Sequence, residues 1–265
     1  MGTDTQLTLV FIFTIGGLLI WYVIKYTGNK KVLLEDIPDL ARVIEVLGKN
    51  VSFFKELDKN ARFTFAERVH YFLSTTKITA EKGASVNDED RILIATSATI
   101  PLFHFKYWSY ENLDEVIVYP EGFDEQYGLK NEGSVILGMV GEGVMNRKMI
   151  LSLEALRNGF FNSTVSHTAI HEFVHLIDKA DGAVDGVPEY LIPKELVRPW
   201  INEMHANIIK IRNNESNIRD YAGVSEAEFF AVASEYFFQR PQLLEKDHPE
   251  LFELLTMIYN PGKLT

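Results

Sequence analysis

Apolar residues recur every three or four positions through much of the chain, a spacing that places them on one face of an α-helix. One of these stretches opens with Asp88, Glu89 and Asp90, acidic residues that are favourable at the positive amino end of a helix. The stretches with this spacing predict helices at residues 36–48, 61–75, 85–101, 163–178, 194–212, 225–239 and about 248–257.

Three short runs follow a different pattern and are rich in strand-forming residues. They are EVIVY at 115–119, SVILGMV at 134–140 and KMILSL at 148–153. Turns that contain Gly or Pro separate them, which favours a small, mainly antiparallel sheet. Predicted helices precede and follow this group of strands along the chain, and this order predicts an α+β fold class.

Residues 7–24, LTLVFIFTIGGLLIWYVI, form a run of 18 positions without a charge. As a helix the run would reach about 27 Å, close to the roughly 30 Å of a hydrocarbon core. Trp21 and Tyr22 lie near one end, where membrane-interface aromatics are common. A signal peptide would begin with basic residues, whereas this chain begins MGTDTQ. A buried core helix is the other alternative, but we expect a single transmembrane anchor.

Basic residues lie only on the carboxyl-terminal side of this run, at Lys25, Lys30 and Lys31. Positive charge next to a span favours the cytoplasmic side. We therefore expect a single-pass membrane protein in which residues 25–34 form a basic linker. Residues 35–265 would then form a catalytic domain that faces the cytoplasm.

Composition narrows the possible functions. With 265 residues, 46% of them hydrophobic, the chain can bury a large core. It has no cysteine, which excludes disulfides, thiolate nucleophiles and cysteine zinc sites. Its net charge of −11, with 26 scattered Lys and Arg, argues against nucleic acid as a partner.

The stretch HTAIHEFVHLID, residues 167–178, contains an H-E-x-x-H motif made of His171, Glu172 and His175. Residues four apart lie on one side of a helix, so both imidazoles can face one Zn²⁺ while Glu172 faces a nearby water. Ser163 is expected to cap this helix, which would place the motif two turns inside it. The surrounding residues are apolar, and a buried glutamate is costly unless something binds it.

Two other polar residues of this stretch, His167 and Asp178, are not among the predicted ligands. His167 lies one turn before His171, and a straight helix cannot bring three imidazoles to one ion. We expect His167 to pack in the core or to contact one of the metal-binding residues on the side away from the metal. Asp178 either accepts the Nδ1–H of a ligand histidine or contacts the following loop, and the sequence leaves both alternatives open.

A catalytic zinc needs a third protein ligand, and the candidates are Glu228 and Glu235. The two lie seven residues apart and face the same way, so only one of them can reach the metal. Glu228 has a competing explanation, because Ser225 and Glu228 have the spacing of a capping box. The residues alone do not decide between the two carboxylates.

HEFVHLID followed by YAGVSEAEFFAVASEYFF resembles the Mlc titration factor A family of zinc metallopeptidases (peptidase family M90-like), mainly over residues 148–240. It resembles the catalytic domain of anthrax lethal factor more distantly. The resemblance implies a zincin-like metallopeptidase domain with one catalytic Zn²⁺ and aminopeptidase-like activity. It implies that Glu228 is the third ligand and that Tyr221 donates a hydrogen bond to the oxyanion or leaving group, although Tyr221 could simply pack at a loop end.

The reaction implied is hydrolysis of a peptide or protein substrate, with Glu172 as the general base. KMILSL is predicted to be the edge strand on which the substrate lies. One alternative is a zinc-containing binding module that sequesters a cytoplasmic transcriptional regulator, which the family name suggests. An intact Glu172 argues against it, because binding needs no base. The other alternative is a membrane-tethered interaction protein with a fortuitous motif.

Overall fold

A computed structural model describes residues 37–129, 135–162, 166–189 and 191–260. The chain divides into two units between residues 33 and 34, and the described residues all belong to the second unit. No helix within these ranges is long and apolar enough to cross a membrane. The predicted anchor at 7–24 and linker at 25–34 lie outside the described residues, so both stay predictions.

Most of the described residues are helical, as the periodic pattern predicts. The helices are α1 Leu40–Asn50, α2 Ser52–Glu56, α3 Lys59–Thr75, α4 Asp88–Leu102, α5 Leu153–Phe161, α6 Thr168–Asp178, α7 Lys194–Arg212, α8 Glu226–Gln239, α9 Pro241–Asp247 and α10 Pro249–Tyr259. Short polar side chains cap several of them. Asn87 and Asp90, for example, form a reciprocal capping box that starts α4.

The helix that carries the H-E-x-x-H motif begins later than predicted. It starts at Thr168, where His167 Nδ1 accepts a hydrogen bond from the backbone N–H of Ile170 at 3.3 Å. The prediction that the helix begins near residue 164 is therefore wrong, and Ser163 itself lies outside the described residues. His171 is the fourth helical residue, so the motif begins one turn inside the helix rather than two.

Four strands form one sheet in the order β1–β2–β4–β3, with β1 Lys77–Ala80, β2 Glu115–Tyr119, β3 Gly138–Val140 and β4 Lys148–Ser152. β1 pairs parallel with β2, and β2 pairs parallel with β4. Only β3 and β4 are antiparallel. The prediction of a mainly antiparallel sheet is therefore wrong, and the sheet is mixed.

The strand order also corrects the predicted substrate strand. The first five residues of KMILSL form β4, and Leu153 begins α5. β4 lies between β2 and β3, so both of its backbone edges already have partners. The two edge strands are β1 and β3. Of these, β3 packs against α6, and its second edge has no strand partner among the residues that the structure describes.

The core encloses the motif helix on several sides. α6 packs against α8, against α4 and against β3. Phe173 is fully buried, with its ring 5.6 Å from that of Phe72 and 5.2 Å from that of Tyr110. Packing of this kind fixes the direction of the polar side chains on the opposite face of α6.

Candidate metal centre

α6 brings the two histidines of the motif together. His171 and His175 are one turn apart, and their Nε2 atoms lie 3.0 Å from each other. The rings meet edge to face with centroids 4.6 Å apart. Both Nε2 atoms therefore face one point on the side of the helix.

α8 brings Glu228 to the same point. Ser225 caps α8 by accepting the backbone N–H of Glu228 at 3.2 Å. The side chain of Glu228 does not complete a capping box but extends towards α6. Its Oε2 lies 3.0 Å from His171 Nε2 and 3.5 Å from His175 Nε2. Three potential ligand atoms thus converge.

The arrangement fits a metal ion. Ligand atoms of a tetrahedral Zn²⁺ site with bonds of about 2.0–2.1 Å are separated by about 3.3 Å. The three atoms here are separated by 3.0 to 3.5 Å, and they form a recognisable group of potential metal ligands. Glu228 Oε2 is buried without a hydrogen bond of good geometry. Two imidazoles and a carboxylate are also the donors of many catalytic zinc sites.

The electrostatics of the centre favour positive charge. Burial would lower the pKa of His171, but the carboxylates of Glu228 and Glu235 outweigh it and raise that pKa to about 10. Burial would likewise raise the pKa of Glu228, but the contacts with both histidines hold it far below its usual range. A cation between these groups, whether a proton or a metal ion, is therefore stabilised.

Glu172 lies beside the convergent atoms and against the sheet. Its side chain is only 6% exposed, and burial, followed by nearby carboxylates, raises its pKa despite the two histidines. A Cβ atom placed on Gly138 would lie 2.5 Å from Glu172 Cγ. The edge strand β3 can approach Glu172 this closely only because residue 138 is glycine.

Glu235 contacts the other side of the His171 ring. Its Oε1 accepts a hydrogen bond from His171 Nδ1 at 2.6 Å, and its Oε2 accepts the backbone N–H of His167 at 2.9 Å. Because the carboxylate accepts at Nδ1, the proton of a neutral ring is on Nδ1 and the Nε2 lone pair faces Glu228 and His175. The two candidate carboxylates thus contact opposite nitrogens of one imidazole.

Tyr221 lies at the open side of the centre, in the 3₁₀ turn Asp220–Gly223. Its ring centroid is 6.0 Å from that of His171, and the residue is 51% exposed. Partial burial and the Glu228 carboxylate raise its pKa to about 12, so the phenol keeps its proton at neutral pH.

Comparison with known proteins identifies the family. Residues 26–260 match the sequence model described as glucose-regulated metallo-peptidase M90. This chain belongs to that family. It is 26% identical to an uncharacterized protein of Synechocystis sp. over 81% of this chain and 82% of the relative. It is also 26% identical to Mlc titration factor A of Escherichia coli over 79% of this chain and 81% of the relative. The more distant resemblance to lethal factor stays a prediction.

Two polar residues of the M90 motif helix lie away from the convergent atoms. His167 caps the helix, and burial lowers its pKa to about 4. Asp178 accepts the backbone N–H of Gly186 at 3.0 Å, so of its two predicted roles the structure has the contact with the following loop. Burial raises the pKa of Asp178 to about 6.

Two residues near the centre were not predicted from the sequence. Arg219, two residues before Tyr221, donates from its guanidinium to Glu235 Oε1 at 2.7 Å. Gly138 provides the close approach of β3 to Glu172. No motif marks either residue. The nearest signal is Glu235, seven residues after Glu228, because a second carboxylate there could have suggested a group that supports a ligand histidine.

Proposed function

We propose that this chain is a zinc-dependent peptidase that hydrolyses peptide bonds. The observation that supports it most is the convergence of His171 Nε2, His175 Nε2 and Glu228 Oε2 beside the buried carboxylate of Glu172. A purely structural metal site has no use for a glutamate in that position. Membership of a metallo-peptidase family agrees with this function.

In this proposal His171, His175 and Glu228 would hold the Zn²⁺, which when bound would lower the pKa of a water molecule and polarise the scissile carbonyl. Glu172 is the general base. Its carboxylate takes a proton from the attacking water and then delivers that proton to the nitrogen of the leaving amine. Its burial restricts the carboxylate to one region beside the reacting atoms.

Tyr221 has the complementary role of a hydrogen-bond donor. Its phenol is protonated at neutral pH and half exposed, so it can donate a hydrogen bond to a bound substrate. We propose that it donates to the oxygen on which negative charge develops at the scissile carbonyl.

The edge strand β3 is the proposed support for the substrate. Gly138–Val140 has a second backbone edge without a strand partner in the described part of the chain, and Gly138 touches Glu172. An extended peptide that paired with this edge would have its backbone held close to the general base. We extend the proposal to aminopeptidase-like activity and to a cytoplasmic catalytic domain that residues 7–24 anchor in a membrane.

A second candidate function comes from the Escherichia coli relative, whose name, Mlc titration factor A, describes titration of Mlc. By analogy, this chain would bind a regulatory protein and sequester it. Zinc binding is compatible with either function, so the two differ in whether the Glu172 carboxylate is needed.

The test is a peptide-library digest with the purified full-length chain and its Glu172→Gln variant. We expect about one zinc ion per chain in both proteins, since Glu172 is not a ligand in this scheme, and cleavage by the unmodified chain only. Cleavage by both proteins would overturn the role of Glu172. A chain that holds zinc and cleaves nothing while capturing a regulator would favour the second function.

A further inference from the structure

A buried chain of contacts extends behind the metal centre. His171 donates from Nδ1 to Glu235 Oε1 at 2.6 Å, and Arg219 donates from its guanidinium to the same oxygen at 2.7 Å. Glu235 is only 1% exposed. Its orientation is therefore set by these two donors and by the backbone N–H of His167 on Oε2.

Arg219 also begins the turn that carries Tyr221. It is the residue immediately before the 3₁₀ turn Asp220–Gly223, and its carbonyl accepts the backbone N–H of Ala222 at 2.9 Å. Arg219 thus contacts the Glu235 carboxylate that supports His171. It also holds the start of the turn that carries Tyr221.

We propose that Arg219 is a positioning residue of the metal centre and that it acts through Glu235. Its guanidinium holds the Glu235 carboxylate in place, and that carboxylate holds the His171 ring with the Nε2 lone pair directed at the metal. The inference rests on the proposed function, since it concerns the same zinc site.

The geometry explains why the carboxylate needs its second partner. Oε1 of Glu235 accepts from both His171 and Arg219, so removal of the guanidinium leaves a buried charge with fewer donors and freedom to turn. A histidine ligand whose supporting carboxylate is disturbed loses orientation, and metal affinity commonly falls roughly 10–100-fold.

Arg212 provides a matched control. It donates from Nε to the carbonyl of Gly223 at 2.7 Å, so it supports the same 3₁₀ turn from α7. Its hydrogen bonds in the structure go to the backbone carbonyls of Gly223 and Val224, not to Glu235. Loss of either arginine loosens the turn, but only loss of Arg219 changes the support of His171.

The experiment measures zinc dissociation constants of the full-length chain by competition with a chelator. The variants are Arg219→Gln, Arg219→Lys, Arg212→Gln, Glu235→Gln and the double variant Arg219→Gln/Glu235→Gln. We expect Arg219→Gln to weaken zinc binding roughly 10–100-fold and Arg219→Lys to recover part of that loss. Arg212→Gln should leave the affinity unchanged. The double variant should bind zinc no more weakly than Glu235→Gln alone, because the arginine acts through the glutamate.

The outcomes separate this inference from the proposed function. Unchanged zinc affinity in Arg219→Gln, or an equal loss in Arg212→Gln, would overturn the inference while the proposed function stands. An unmodified chain that binds no zinc would overturn both. If the buried Glu235→Gln variant fails to fold, the comparison of Arg219→Gln with Arg212→Gln decides alone, since the Arg219 side chain is partly exposed.

Discussion

Glu228 and Glu235 show how two identical side chains on one helix face acquire different roles. They lie seven residues apart on α8, yet Glu228 approaches His171 Nε2 and Glu235 approaches His171 Nδ1. The sequence predicts both as candidates, because seven residues return to the same helix face. It cannot assign their roles from spacing alone, since those depend on how α8 crosses α6 in the core.

The first prediction separates these two carboxylates. Glu228→Ala removes a proposed ligand, so its zinc affinity should fall by more than the roughly 10–100-fold expected when a supporting group such as Glu235 is changed. Chelator competition on the purified variants measures both losses. A larger loss in Glu235→Ala than in Glu228→Ala would reverse the assignment.

The second prediction concerns Tyr221. If its hydroxyl stabilises the developing oxyanion, it acts mainly in the transition state, and one such hydrogen bond is worth about 2.7–4 kcal/mol. Tyr221→Phe should therefore keep its zinc and its KM while kcat falls roughly 10²–10³-fold. Tyr107→Phe, at a highly exposed tyrosine in the loop that follows α4, is the control. Near-normal turnover by Tyr221→Phe would mean that the ring only packs.

At the scale of elements, periodicity predicted the long helices because their buried faces recur at the helical period. It did not predict β1, since four residues are too few to show an alternation. The sequence also did not predict the direction in which the strands pair. β1 and β2 are joined through α4, and such a crossover returns the chain parallel to its first strand.

The start of α6 was missed for a chemical reason. Helix amino ends are usually predicted from Ser, Thr, Asp or Asn, whereas the capping atom here is an imidazole nitrogen of His167. The same residue supplies the backbone N–H that Glu235 accepts. The cap therefore belongs to the support of the metal centre as well as to the helix.

The third prediction tests the contact between β3 and α6. Gly138→Ala would force a Cβ atom to within 2.5 Å of Glu172 Cγ, so the strand or the glutamate must shift. A misplacement of about 1 Å can lower a rate roughly 10²-fold, and we expect kcat to fall by that order. Zinc affinity should be retained, because no proposed ligand moves. Gly48→Ala, where a Cβ meets nothing within 4 Å, is the control. Full activity in Gly138→Ala would contradict the contact.

The fourth prediction concerns Asp178, at the carboxyl end of α6. Burial raises its pKa from 3.8 to about 6, so its contribution to the free energy of unfolding is fully present below about pH 4 and is lost as pH rises through 6. Asp178→Asn removes this dependence and can still accept the Gly186 N–H. Between pH 4 and pH 7 the variant should gain about 1–3 kcal/mol relative to the unmodified chain.

Urea unfolding at several pH values measures this difference, with Glu125→Gln, at an exposed carboxylate in the loop after β2, as the control. A constant difference between Asp178→Asn and the unmodified chain across this range would contradict the raised pKa.

At the scale of the whole molecule, the proposed site depends on three elements that are distant along the chain. α6 supplies two proposed ligands and the base, α8 supplies the third ligand and Glu235, and β3 supplies the free edge. The motif in α6 was visible in the sequence because its residues are adjacent. The edge strand was not, since only the packed sheet determines which strand is outermost.

The last prediction is that residues 7–24 anchor the chain with residues 35–265 in the cytoplasm. The run carries no charge over 18 positions, and Lys25, Lys30 and Lys31 follow it. We expect the full-length chain to stay with the membrane fraction after a high-salt wash, because the anchorage is hydrophobic. Protease added outside intact cells should leave residues 35–265 uncut, because positive charge holds that side of the span in the cytoplasm.

A double variant, Leu18→Arg/Leu19→Arg, provides the control for the anchor. Each arginine near the centre of a span costs about 2.5–3.5 kcal/mol on insertion scales, so this variant should shift to the soluble fraction with its zinc affinity unchanged. An unmodified chain that is already soluble would overturn the anchor. Cleavage of residues 35–265 from outside would overturn the orientation alone, since a chain inserted the other way is still held by the same 18 residues.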